Sequence, residues 1–510
     1  MNNYDVIVIG AGNGGLAAAA TLAEKGKKTI LFEKHNIPGG CGTSFRRGRF
    51  EFEVALHQLS HLGTEEKPGP LREQFRRYGI EKEIDWIEIE ELYRVNFPDG
   101  TGISIPVGRE KCVEFLCKEF PKEAENVKRY FDTVYSFCSE AAAFAAKSAQ
   151  STGEPGELKK FVMKKGFPKM YPTLANYGLK SSHEVLNEFF PNCPKLQLAL
   201  NVYWCFMGMN PDRFPWSILA KCTVIYMEDK PFYLRGTSMM MNQAILEAAK
   251  RMGCVAQMNC GVKKIIVENG RAVGVVDEFG REYRAKKIIS NISPITTYGA
   301  LMDPEDVPES AREYLKPYTV GISAITCFLG LDCTPEEIGF TTSFTLNYES
   351  LDAIRDCQDA YKLLPENDPL VATCYTVDDR QVSPEGTSVI TAGTLKYAEA
   401  WEKLPPEQYY EMKYEAGRRI VERLEKMYPG ITEHIEEMEV ATPLTHMRYL
   451  HHPHGAIYGY EQDLRQSVFF FPSESKLEGL EFASGWVNAC GFGPNYTYAD
   501  GVATRVAKEV

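Results

Sequence analysis

An α/β fold built from two interleaved domains is predicted by three observations. The chain opens on a strand, a glycine loop, a helix and a second strand. A β-rich meander with turn residues at its corners lies near the middle, and a glycine-rich strand, loop and helix close the chain. Pieces of one kind at the start, middle and end assign 1–65, 235–299 and 471–510 to a first, discontinuous domain. The intervening 66–234 and 300–470 are left to a second domain of mixed α+β texture.

The run YDVIVI (4–9) is β-branched and ends at Gly10. LAAAATLAEKG (16–26) is rich in helix formers and stops at Gly26, and KTILFEK (28–34) reads as the second strand. The loop of this β-α-β unit is Gly10-x-Gly12-x-x-Gly15. In such a loop Gly10 allows the tight turn, Gly12 lets backbone approach a pyrophosphate, and Gly15 lets helix and strand pack closely. Free N–H groups at the helix start favour the phosphates. Glu33 ends the second strand, where a carboxylate accepts hydrogen bonds from a ribose. GTSMMMNQAILEAAKRMGC (236–254) reads as a helix. The stretch 262–291 reads as a three-stranded meander turning at Asn269-Gly270 and Phe279-Gly280, then ending at Ser290-Asn291. Residues 480–510 read as a strand, a loop and a closing helix.

With 510 residues, 44% hydrophobic and 25% charged, the chain has room for a large core and a separate substrate region. A net charge of −12 argues against a nucleic-acid partner. No apolar run is long enough for a transmembrane helix, and the apolar start, broken by glycines, is not a signal peptide. The 14 cysteines form no C-x-x-C pair, so they are expected to be reduced thiols in a cytoplasmic setting. Cys41 is either a reactive thiol or a small residue in a tight loop.

The stretch DVIVIGAGNGGLAAAATLAEKGKKTILFEKHNIPGG (5–40) resembles the FAD-binding signature of glutathione-reductase-type flavoproteins. GGCGTSFRRGRFEFEVALHQLSHLG (39–63) is similar to the branch holding bacterial phytoene desaturases, carotenoid isomerases and retinol saturases, as are 270–294 and ATPLTHMRYLHHPHGAIYGY (441–460). The resemblance implies a Rossmann-type FAD-binding domain of the glutathione reductase/amine oxidase type, with FAD spanning both glycine loops. It sets the cofactor against Gly10, Gly12, Asn13, Gly14 and Gly15, against Glu33 and Lys34, and against Gly39, Gly40, Thr43 and Ser44. Val262 and Ser290 follow from the middle segment, and Gly485, Trp486, Asn495, Tyr496 and Thr497 from the tail. The tail helix is expected to aim its N-terminus, near Tyr496 and Thr497, at the flavin pyrimidine edge. The family's usual Gly-Asp is here Gly485-Trp486, which puts the contact made by that Asp in question.

The implied activity is an FAD-dependent oxidoreductase acting on a C=C bond of an elongated apolar substrate, carotenoid-, retinoid- or isoprenoid-like. Desaturation, saturation and isomerisation, with hydride transfer at flavin N5, stay open. The alternatives are an unsaturated fatty acid isomerase or reductase, an amine oxidase, and a prenyl- or lipid-binding escort protein on the same fold. There is no second GxGxxG, so the electron partner is a transiently docked protein, a quinone, oxygen or none.

His57 is the candidate catalytic residue, as a general acid or base; the competing reading is a hydrogen-bonded structural histidine. His446 with HHPH (451–454) has the look of a metal cluster, but no cysteine or acid sits at ligand spacing and no metal is expected. Tyr458 and Tyr460 are read as β-strand packing, and Tyr203, Trp204, Phe206, Phe214 and Trp216 as core or as a tunnel lining. Leu158 to His183 has no acid, and its lysines alternate with aromatics. It reads as a peripheral anchor on the inner face of a membrane, or as a solvated basic face.

Overall fold

The computed structural model describes residues 2–150, 166–464, 475–487 and 490–510. Its first sheet has seven strands. Asn2–Ile9 lies at the centre, parallel to Thr29–Phe32 on one side and Glu282–Ser290 on the other. Val255–Gln257 extends one edge in parallel. The meander Val262–Glu268, Arg271–Asp277 and Glu282–Ser290 is antiparallel, and Leu480–Phe482 runs parallel to the end of Glu282–Ser290. Asn269 and Gly270 at its first turn both have positive φ, 53° and 75°, as a two-residue hairpin of this hand requires.

Three helices cover one face of this sheet. Asn13–Glu24 packs against Ser238–Arg251 and the closing helix Phe492–Glu509. Its run Ala17–Ala20 is fully buried, and side chains that small let neighbouring helix axes approach closely. Gly15 lets the start of this helix close on the turn before it: a Cβ there would lie 1.8 Å from the Gly10 carbonyl oxygen. The helix starts at Asn13, earlier than the apolar run suggests, because the glycine loop turns directly into its first turn.

The second sheet also has seven strands. Its order is Ile435–Ala441, Ser323–Leu331, Ser388–Lys396, Leu370–Cys374, Phe344–Asn347, Glu91–Asn96 and Gly102–Pro106. All neighbours are antiparallel except Phe344–Asn347 with Glu91–Asn96. Ala324, Thr326 and Phe328, at alternate positions of one strand, face the cavity described below, while Ile325, Cys327 and Leu329 enter a separate core. On this distribution we propose the discontinuous domains 1–65, 235–299 and 471–510 against 66–234 and 300–470.

No helix among the described residues is long and apolar enough to cross a membrane. Of the lysine-rich stretch 158–183, residues 158–165 lie outside the described residues. The rest forms the short helices Phe167–Met170 and Pro172–Tyr177, with Phe167 and Tyr171 packed on Phe144. Tyr458 and Tyr460 lie in no strand of either sheet, so the expected strand packing gives way to loop packing.

Candidate functional site

The two glycine loops are one structure. Gly12 and Gly39 pair as a parallel backbone bridge, and the Gly39 N–H donates to the Ala11 carbonyl at 2.7 Å. Gly39 has φ +115°, and a Cβ on it would lie 2.0 Å from the Gly42 oxygen, so only glycine fits this turn. The second loop thus continues the first along the same groove.

Glu33 is oriented by backbone. Its carboxylate accepts from the Ala11 N–H at 2.6 Å and from the His35 N–H at 2.8 Å. This arrangement fixes the carboxylate beside the glycine turn. Asn291, just past the meander, donates its backbone N–H to the Ile9 carbonyl at 2.9 Å. Its side-chain Nδ2 would lie 2.6 Å from a Cβ on Gly12.

A buried polar knot ties the loops to the tail. Asn242 Nδ2 donates to the Gly42 carbonyl at 2.7 Å and to Asn13 Oδ1 at 3.2 Å. The Tyr496 hydroxyl lies 2.6 Å from Asn242 Oδ1 and 3.0 Å from Asn13 Oδ1. The second loop and three helices meet in these three side chains.

One cavity of about 1870 Å³ runs along this groove and on across the second sheet. Gly10, Gly12, Asn13, Glu33, Lys34, Gly39, Gly40, Thr43, Ser44, Val262, Gly485, Trp486, Asn495 and Thr497 all line it. The remaining sequence candidates lie behind its wall. Gly14 and Gly15 face packing neighbours: a Cβ on Gly14 would lie 2.3 Å from the Ala483 oxygen. Ser290 is fully buried, its hydroxyl 2.9 Å from that of Thr297. Tyr496 is spent on the knot, since the closing helix begins at Phe492 and its second turn points inward. The turn that meets the cavity is Gly491 to Asn495. Ser44 lines the cavity, but its hydroxyl donates to Glu51 at 2.6 Å, which leaves Thr43 as the freer hydroxyl of the pair.

In place of the family's aspartate, Trp486 is packed at right angles to Tyr460, with ring centroids 5.0 Å apart, and to His452 at 5.4 Å. Trp486 Nε1 and Asn495 Oδ1 are buried without a hydrogen-bond partner among the described residues. Unpaired polar atoms in a cavity wall are groups that a bound polar ring edge would satisfy. The glycine cradle, Glu33 and these two atoms therefore fit a nucleotide cofactor.

Beyond the groove the wall becomes apolar, with Phe45, Phe206, Phe328, Leu395 and Leu444 among its residues. Of the aromatic cluster read from sequence, Phe206 lines the cavity, whereas Tyr203, Trp204, Phe214 and Trp216 are core. Tyr458 also lines it, its hydroxyl donating to the Cys205 carbonyl at 3.0 Å.

His57 also lines the cavity. Its Nδ1 is 2.7 Å from the Thr373 hydroxyl, and its ring lies nearly parallel to Phe206 and Tyr375, at 7° and 12°. Burial lowers its imidazole to about 4, so the ring is uncharged at neutral pH. His61 is also lowered to about 4, by burial and then by the Lys221 charge. It has φ 69°, a conformation bulky residues rarely adopt, and its Nδ1 is 2.8 Å from the Ser60 hydroxyl. Burial pushes the Cys41 thiol up to about 11, which keeps it protonated and suits the small-residue reading over the reactive one.

Two of the other histidines take separate partners. His452 Nδ1 donates to the Ala456 carbonyl at 2.8 Å, and His454 Nδ1 lies 2.8 Å from Glu402. Among the described residues, no group of three His, Cys, Asp or Glu side chains is placed to hold a metal ion.

Sequence reasoning missed Asn242, Asn291, Thr373 and Lys221. Asn291 alone carried a local signal, as the residue that ends the meander.

Residues 8–69 match the family model for an NAD(P)-binding Rossmann-like domain. Prolycopene isomerase of Arabidopsis thaliana is 27% identical over 460 residues, covering 88% of this chain and 73% of that protein. All-trans-retinol 13,14-reductase of Danio rerio is 25% identical over 482 residues, covering 90% and 77%. The structure of putrescine oxidase bound to putrescine superposes with a TM-score of 0.62 at 14% identity, covering 99% of this chain and 98% of that one. The chain therefore has the glutathione reductase/amine oxidase type of fold, with a Rossmann-like nucleotide site, and is related by sequence to prolycopene isomerases and all-trans-retinol 13,14-reductases.

Proposed function

We propose that the chain is an FAD-dependent oxidoreductase that acts on a C=C bond of an elongated apolar substrate, by desaturation, saturation or isomerisation. The observation that carries this reading is the single cavity, which begins at Gly10, Gly12 and Glu33 and continues without a wall into the apolar space over the second sheet. A dinucleotide in the groove and an apolar chain beyond it would meet at His57. The relatives named prolycopene isomerase and all-trans-retinol 13,14-reductase support carbon–carbon double bonds as the target.

Bound FAD would supply hydride transfer at N5. This chain's residues do the rest. Glu33 would accept the adenosine ribose hydroxyls, and the Gly10–Gly15 turn would hold the pyrophosphate on helix N–H groups. Gly39, Gly40 and Thr43 would carry the cofactor's middle, with Val262 beside the adenine. The turn Gly491–Asn495 would set a helix N-terminus against negative charge on the isoalloxazine. His57, neutral and stacked, would fix the substrate-side wall and offer an uncharged nitrogen to the reacting region. The aromatic and aliphatic wall would exclude water from the hydride path.

The test is the purified protein itself. It is expected to be yellow and to release FAD on denaturation. After anaerobic reduction, addition of conjugated polyenes is expected to change either the flavin spectrum or the polyene's double bonds. Colourless protein that binds no added FAD overturns the reading. A bound flavin indifferent to polyenes, fatty acids and amines would favour a lipid-carrier role on the same fold.

A further inference from the structure

The helix Trp216–Glu228 lays one face along the cavity. Ser217, Lys221 and Ile225 follow one another at a spacing of four on this face, and all three line the cavity, as does Tyr226. The stripe is therefore polar over its first two turns and apolar beyond them. Ser217 is buried, and its hydroxyl oxygen has no hydrogen-bond partner among the described residues. Lys221 is exposed and makes no ion pair among the described residues. Its charge is felt at His61, which lines the same cavity.

The acids of the cavity wall are engaged elsewhere. Glu33 accepts from the Ala11 and His35 N–H groups, Glu439 is paired with Arg47 at 3.1 Å and with Lys413 at 2.8 Å, and Glu402 meets His454 at 2.8 Å. Glu228, about two turns past Lys221, accepts from the Tyr135 hydroxyl at 2.6 Å. The pairing with Glu439 also removes Arg47 and Lys413 as free cations. Lys34 belongs to the glycine-loop end of the cavity, next to Glu33, and the Arg448 guanidinium stands 5.7 Å from the Tyr449 ring centroid. Lys221 differs in having a buried, unused hydroxyl one turn away.

A free ammonium and a free hydroxyl on one edge of an apolar space are two donors, one of them charged, as a carboxylate end group requires. A plain hydrocarbon there would leave the Ser217 hydroxyl buried without a partner. From this edge aromatic rings lead toward His57: the Tyr226 centroid is 6.1 Å from that of Phe206, and Phe206 is 6.5 Å from His57. Lys221 precedes Tyr226 by about 7.5 Å along the helix. A head group at Lys221 and a double bond at His57 would thus be joined by an extended run of carbons.

We propose that Lys221 and Ser217 bind a carboxylate at the end of the substrate, so that the substrate is an elongated unsaturated acid and not a pure hydrocarbon. The proposal rests on the reading of the cavity as a site for an apolar substrate beside FAD. A conjugated polyene acid and an unsaturated fatty acid share this chemistry, and the probes below separate them.

The experiment is a binding titration of the full-length, FAD-loaded protein with two acids and their alcohols: all-trans-retinoate and all-trans-retinol, linoleate and linoleyl alcohol. In at least one pair the acid is expected to bind about tenfold more tightly than its alcohol, and the pair that shows this identifies the chain type. K221M and S217A are each expected to bind that acid about fivefold more weakly and its alcohol as the parent does, while K221R keeps the preference for the acid. Equal binding of acid and alcohol in both pairs overturns the proposal. So does a preference that survives K221M, or one lost only in R448A. Loss of flavin, or a changed spectrum of the unliganded flavin, in K221M would place Lys221 on the cofactor and overturn it as well. The functional reading is tested separately: a Lys221-dependent preference for the acid, in a protein whose reduced flavin leaves every double bond intact, would keep the carboxylate site and sink the function.

Discussion

Gly12 and Gly39 lie side by side as paired backbone strands, fastened by the Gly39 N–H on the Ala11 carbonyl at 2.7 Å. This pairing makes a single cradle of two loops that a helix and a strand separate in the chain, so damage to the second loop should be felt at the first. The variant G39A forces a side chain into a left-handed turn, at a cost of about 1–3 kcal/mol, and drives it into the Gly42 carbonyl. Lower thermal stability and a large loss of bound flavin are expected. Unchanged flavin content in the purified variant would contradict the shared cradle.

The knot of Asn13, Asn242 and Tyr496 makes a second test, aimed at stability. Tyr496→Phe removes the hydroxyl and leaves the buried Asn242 Oδ1 without its donor, for about 1–3 kcal/mol. A denaturant titration of the apoprotein should show this loss as a lower midpoint. A midpoint equal to the parent's would show that the knot contributes no net stability.

His57 gives a pH test with a definite sign. Its imidazole falls from the ordinary 6.5 to about 4 on folding. Between these values the unfolded chain binds a proton that the folded chain does not, so stability is complete above 6.5 and is lost as pH falls toward 4. His61 and His446, each also lowered to about 4, act in the same direction. Melting temperature should therefore fall as pH drops through this window, and less steeply in His57→Phe. For catalysis, a ring already neutral should leave the rate flat from about pH 6 upward. A rate inflection near 6.5 that vanishes in His57→Phe would make His57 a titrating acid or base instead.

Glu53 joins the hairpin after the second loop to the helix Ser238–Arg251. Its buried carboxylate accepts from the Ser238 N–H at 2.6 Å, the Ser238 hydroxyl at 2.7 Å and the Ala55 and Leu56 amides at 3.1 and 3.0 Å. Glu53→Ala strands these donors in the core and should cost about 3 kcal/mol, read by chemical denaturation. Glu53→Gln, which keeps an acceptor, should recover part of that. Equal losses in both variants would point to the negative charge itself.

The nucleotide groove was legible because its pieces are local. Gly10, Gly12, Gly15 and Glu33 sit within one β-α-β unit, and the meander announces itself through Asn269-Gly270 and its alternating strands. The second sheet was not legible, because its neighbours are remote: Glu91–Asn96 pairs with Phe344–Asn347, a contact no local period encodes. The same distance hid Thr373 as the partner of His57 and Asn242 as the partner of Tyr496. Ser290 and Tyr496 do not line the cavity for a simpler reason. A motif fixes which segment nears the groove, but the pleat of a strand and the turn of a helix decide which side chain faces it.

The most direct measurement is an anaerobic one on the purified, FAD-loaded protein. The flavin is reduced, a conjugated polyene is added, and flavin spectrum and polyene products are followed together. The expected result is a change at a carbon–carbon double bond, with flavin reoxidised for saturation or left reduced for isomerisation. A protein that holds no flavin, or a reduced flavin beside which every polyene stays unaltered, would contradict the account.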